Sequence, residues 1–201
     1  MHISEGVLSA PVLAGGAALT AAGLAAGLKG MKPEKVPQVA VLSSAFFVAS
    51  LIHVPAGPVS LHLVLNGLNG LILGWAAFPS IFVALTLQAL LFQFGGLTTL
   101  GVNTFNMAAP AVLCYFLFRP LVRGRSPALA WAGGFATGFL SVGLGAALIG
   151  LSLAFTGEAF LEAAGVAFAA HLPVMLIEGV LTGFCVSFLR KVKPEILGVT
   201  S

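Results

Sequence analysis

Residues 128–155 read ALAWAGGFATGFLSVGLGAALIGLSLAF, a run of 28 residues with no charged side chain. A helix needs only about 20 mostly apolar residues to cross a bilayer core. The run is preceded by a short basic loop carrying Arg119, Arg123 and Arg125. Working outward, the same pattern recurs on both sides. Upstream lie apolar runs over 102–118, 81–94, 61–75, 38–52 and 10–28, and downstream one over 160–189. Breakers separate them, most visibly the stretch HVPAGPVS at 53–60, which cannot continue a helix. The fold expected is an all-α polytopic membrane protein of about seven transmembrane helices, a single transmembrane domain over residues 1–201.

Composition excludes the alternatives. The chain is 59% hydrophobic and 7% charged, has no Asp and has a mean hydropathy of +1.08. A soluble domain of this size needs a far more polar surface. The pI of 9.2 does not point to nucleic acid, because all nine basic residues fall in three short clusters. These are Lys29, Lys32 and Lys35; Arg119, Arg123 and Arg125; and Arg190, Lys191 and Lys193. Seven alternating spans put the three clusters on one side, the cytoplasmic side by the positive-inside rule. Six or eight spans would separate them. The N-terminus is then expected outside and the C-terminus in the cytoplasm, in the cytoplasmic (inner) membrane of a prokaryote. No basic residue precedes the first apolar run, so no secretory signal is expected and the chain is read as starting at Met1. Cys114 and Cys185 lie in apolar runs without partners at ligand spacing and read as packing residues. In the first run, Ala18, Ala22 and Ala26, and likewise Gly23 and Gly27, recur every four residues, a spacing that lets helices approach closely.

This topology, drawn without reference to histidine, brings the four histidines to the outer side. His2 is at the terminus, His53 and His62 flank the loop between spans two and three, and His171 lies in the outer half of span seven. Read as one helix, His62, Asn66 and Asn69 share a face. Any one histidine alone is more readily a capping, interfacial or satisfied buried residue; as a group they suit a transition metal, for which imidazole is a common ligand. The terminus adds chelating power. The Met1 amine, the His2 backbone nitrogen and the His2 ring close a five-membered and a six-membered ring around one ion. One more imidazole, with His62 the first candidate, completes a planar nitrogen set suited to Ni(II), Cu(II) or low-spin Co(II). No phosphate-binding loop, H-E-x-x-H or G-x-S-x-G is present, so any ATP hydrolysis belongs to another protein and no catalytic cofactor is expected. An intramembrane metalloenzyme would need a base beside the metal and an open coordination position, and Glu5 is the one carboxylate near the cluster. A metal sensor is the other reading from a different class.

The start MHISEG at 1–6 resembles the N-terminus of the CbiM/NikM family, the substrate-binding components of energy-coupling-factor (ECF) transporters for cobalt and nickel. The resemblance continues through SLH at 60–62, QALLF at 88–92, GGLT at 95–98, GVNTFNM at 101–107, HLP at 171–173, IEG at 177–179 and SFLRKVKPE at 187–195. It implies that Co(II) or Ni(II) is carried as transported substrate in a site open to the outside, with Met1, His2 and His62 as metal ligands. It also implies partners: a transmembrane scaffold (T) subunit, a pair of ABC ATPases and, for cobalt members, often a small accessory membrane protein. His53 stands where the family pattern has Asn or Lys, which makes it a possible extra ligand in competition with His62. Asn103, Asn106 and Thr98 are expected to orient the site from behind the ligands, and Glu178 to hold a helix rather than the metal.

Overall fold

A computed structural model describes residues 2–56 and 59–199. Among them are seven α-helices: α1 (Ala10–Lys29), α2 (Val36–Leu51), α3 (Asn66–Leu73), α4 (Ala77–Phe92), α5 (Leu100–Arg123), α6 (Pro127–Ala154) and α7 (Leu161–Val192). One antiparallel hairpin, β1 (His53–Ala56) and β2 (Val59–His62), separates α2 from α3, with His53 opposite His62. Proline at the first turn starts α1, α2 and α6, where its missing N–H costs nothing. Basic residues close α1, α5 and α7, opposite the negative ends of the helix dipoles.

Five stretches are long and apolar enough to cross a membrane: α1, the α3–α4 pair over 66–92, α5, α6 and residues 158–192 around α7. Large apolar side chains such as Val41, Leu90, Phe184 and Phe188 are exposed on the outside of the bundle, as expected of a lipid-facing surface. Each apolar run of the sequence contains one helix, but the third run, read over 61–75, is not a continuous span. Its first residues form β2, and α3 has eight residues, about 12 Å at ~1.5 Å per residue. The chain turns again at Gly74, φ +57°. A strand and a half-length helix are tolerated at membrane depth only where protein surrounds them. Here α3 buries Asn66, Gly67, Asn69, Gly70, Leu71 and Leu73.

Small residues make that enclosure possible. A Cβ at Gly67 would lie 2.8 Å from Cα of Gly138 on α6, and one at Gly70 would run into the backbone of Ala111 on α5. Asparagine ties the same helix down. The Asn66 amide donates to the carbonyls of Met107 (3.3 Å) and Ser141 (3.2 Å), and Asn69 accepts from Ser80 at 2.9 Å. The expected common face of His62, Asn66 and Asn69 is therefore corrected. His62 ends a strand, so helical spacing does not relate it to the asparagines, which serve packing. On α1, Gly16, Thr20, Gly23 and Gly27 face inward, with Thr20 donating to the Gly101 carbonyl at 2.6 Å. Ala18, Ala22 and Ala26 face outward and are exposed.

Candidate metal centre

The site is assembled at one end of the bundle around residues 2–9, a segment without regular structure. It is held at four points. The Ile3 N–H donates to Asn103 Oδ1 and the Asn103 amide donates back to the Ile3 carbonyl, both at 3.0 Å. The Thr98 N–H donates to Glu5 Oε1 at 3.0 Å. The Ser9 N–H reaches Thr156 Oγ1 at 3.4 Å. Ile3 and Leu8 bury their side chains in the main core. A two-way amide clamp at Ile3 fixes the backbone next to His2 in both position and rotation.

His2 is held beside His62 by this clamp. The two rings are 19° from parallel with centroids 4.9 Å apart. The His2 ring also lies near Phe94, centroids 6.3 Å apart and 18° from parallel. Phe94 owes its place to the end of α4, where Gln93 adopts φ +57° and the Phe94 N–H donates to the Gln88 carbonyl at 3.3 Å. The His2 residue as a whole is half-buried, yet both its ring nitrogens are shut off from solvent and make no hydrogen bond among the described residues. Buried polar atoms are almost always paired, so a ring with two orphaned nitrogens is a candidate metal donor. Burial, reinforced by the positive charges of the chain terminus and of His62, pushes the His2 pKa well below the usual histidine range. Its ring stays neutral, the form that coordinates metals.

His62 is buried, and its Nδ1 lies 2.9 Å from the Leu63 carbonyl. That acceptor keeps the proton on Nδ1 and gives Nε2 the lone pair, the usual arrangement behind a ligating histidine. Met1 lies outside the described residues, and of His53 the structure describes only the backbone, paired with His62. His171 is buried on α7. Among the described residues no three His, Cys, Asp or Glu side chains gather into a metal-sized group. The described part of the site is thus a histidine pair, and further donors have to come from the terminal backbone or from groups outside the described set.

The three residues expected behind the ligands divide. Asn103 holds Ile3. Asn106 points to α6 instead, donating to Ser152 at 3.2 Å. Thr98 is exposed, and its contribution is its backbone N–H on Glu5, which in turn uses the carboxylate nearest the cluster as an anchor. Phe94 was not among the sequence candidates; it sits between the QALLF and GGLT motifs. The glycines after it are required by close approach. Gly95 has φ +75°, and a Cβ there would lie 2.9 Å from Asn103 Nδ2 and 3.6 Å from His2 Cβ, while one at Gly96 would overlap the Glu5 side chain. Gly95→Ala is expected to weaken metal binding about tenfold or more by displacing His2. Gly15→Ala, where a Cβ meets nothing within 4 Å, is the control and should bind like the parent in the same metal titration.

Comparisons with known proteins identify the family. The family model described as the cobalt uptake substrate-specific transmembrane region, CbiM, matches residues 2–196. A protein of Haemophilus influenzae named for metal transport is 40% identical over 205 residues, covering 100% of this chain and 98% of the relative. A fused nickel transport protein, NikMN, of Archaeoglobus fulgidus is 29% identical over 98% of this chain and 68% of its own length. A crystal structure of a transition metal transporter superposes with a TM-score of 0.75 at 30% identity, covering 96% of this chain and 93% of that one. With a family model spanning nearly all of its length, the chain belongs to the CbiM family, multi-pass membrane proteins of cobalt and nickel transport.

Proposed function

We propose that this chain is the substrate-capturing subunit of an ATP-driven, ECF-type importer, binding one Co(II) or Ni(II) ion at a site open to the outside. The observation that carries this is the His2–His62 pair with its orphaned ring nitrogens. In the chelate formed by the Met1 amine, the His2 backbone nitrogen and His2 Nδ1, the fourth planar position is adjacent to the His2 ring. With metal–nitrogen distances of about 2.0 Å, two imidazoles on adjacent positions have centroids roughly 4.5 Å apart. The 4.9 Å between His2 and His62 is close to this value; a turn of the His62 ring out of its near-parallel position would aim its lone pair at the shared ion, so the spacing supports His62 as the fourth donor.

The outward orientation has its own support. The site is built from the start of the chain, the end of α4, the start of α5 and the junction before α3. All nine basic residues belong to the opposite helix ends and the loops beside them. Positive charge is retained in the cytoplasm, so the metal end faces out. The protein then resides in the prokaryotic cytoplasmic membrane as a single metal-binding domain. It hydrolyses nothing itself; a transmembrane scaffold subunit and a pair of ABC ATPases, with a small accessory membrane protein for cobalt, supply the remaining parts. The fused relative, of which this chain spans 68%, is consistent with a chain that works alongside other components. Cells expressing the chain with its scaffold and ATPases should accumulate Co(II) or Ni(II), and inactivating the ATPases should stop uptake. Uptake that persists without ATP hydrolysis would sink the proposal.

A further inference from the structure

We infer that Glu178, far along α7, is a positioning residue for metal capture: its carboxylate holds the turn that carries His62. This rests on the reading of His62 as a ligand. Glu178 is fully buried and is the only buried carboxylate among the described residues. An ionisable group inside a membrane bundle is costly and marks a role. Its Oε1 accepts the N–H groups of Val64 and Leu65, the latter at 2.8 Å. These are two of the backbone N–H groups between His62 and the first turn of α3, whose N-cap residue Leu65 offers no capping side chain. Helix N-termini carry unpaired N–H groups and a partial positive charge, and a carboxylate satisfies both.

The geometry of that turn needs an external hold. Leu65 adopts φ +54° and ψ +18°, a left-handed conformation that bulky residues avoid unless their surroundings impose it. The strained residue lies three positions after His62, whose Nδ1 is itself tied to the Leu63 carbonyl. Residues 63–65, between β2 and α3, belong to no helix or strand, and Glu178 is the α7 side chain that accepts the N–H groups of Val64 and Leu65 there. Glu178 Oε2 has no hydrogen-bond partner among the described residues, so no other side chain there competes for the carboxylate.

Three substitutions test this with purified full-length protein, reading Ni(II) affinity by titration and the donor set by the ligand-field spectrum of the bound ion. Glu178→Gln retains a carbonyl oxygen able to accept both N–H groups and should bind within about threefold of the parent with the same spectrum. Glu178→Leu removes the acceptor and should bind about 10- to 100-fold more weakly, the range for losing a group that orients a ligand, with an altered spectrum. Glu178→Asp, one methylene shorter, should fall with Leu rather than Gln, and it decides the matter if the Leu protein does not fold. Parent-like affinity and spectrum in Asp or in folded Leu would overturn the inference, as would a Gln variant as weak as Leu. A parent protein that binds no Ni(II) or Co(II) would instead overturn the assignment of the ligands, and this inference with it.

Discussion

Replacing His2 by alanine is expected to abolish tight Co(II) or Ni(II) binding, with an affinity loss of more than about 100-fold. Changes to groups that only orient a ligand cost 10- to 100-fold, and His2 supplies a ring nitrogen and closes a chelate ring. His62→Ala should fall in the same range. The two should not be additive, because a planar nitrogen set broken at either position is the same lost site. Folding should be affected little. His2 is half-buried, makes no hydrogen bond through its ring among the described residues, and has ring contacts with His62 and Phe94. Metal titration checks affinity, and thermal unfolding without metal checks that the scaffold survives. An alanine variant that binds like the parent would place the site elsewhere.

The second large effect is expected at a residue that never touches the ion. Asn103→Leu keeps the branched shape of the side chain but removes both halves of the clamp on Ile3. It leaves a buried N–H and a buried carbonyl unpaired, each costing about 1–3 kcal/mol. The terminal segment is expected to detach from the start of α5, and His2 with it, so metal affinity should drop about 10- to 100-fold. Asn106→Leu loses only its bond to Ser152 on α6 and should leave affinity within about threefold. Titrating both variants separates them. Equal losses would mean that the two asparagines act on the site alike, and no loss at Asn103 would mean that the clamp is dispensable.

The helices were legible in the sequence because a bilayer demands long apolar runs and leaves charge at their ends, as at Lys29, Arg123 and Arg190. The third run was not, because a short, mostly apolar stretch reads as strand or helix alike. Leu61 to Leu65 could belong to either; what selects the strand over Val59–His62 is pairing with His53–Ala56, a contact that lies outside the run itself. The same break explains why the shared face of His62, Asn66 and Asn69 did not form. The histidines could be singled out because imidazole is scarce in such a chain and the terminus is a natural chelator. The division of labour behind them could not. Asn103 and Asn106 are one helical turn apart and chemically identical, and only the packing of α5 between residues 2–9 and α6 turns one towards Ile3 and the other towards Ser152. Phe94 was hidden among 16 phenylalanines. Its position over His2 depends on the left-handed turn at Gln93, a conformation to which the sequence gives no glycine or asparagine signal.

The central claim is that the start of the chain is itself part of the metal site. The most direct measurement compares Co(II) and Ni(II) binding by protein beginning at Met1 with binding by the same protein carrying one additional residue before it. The extra residue moves the amine out of the chelate ring while leaving His2, His62 and Asn103 in place. Tight binding by the first form and loss of more than about 100-fold in the second is the result expected. Equal binding by both would contradict the terminal chelate and shift the site to the imidazoles alone.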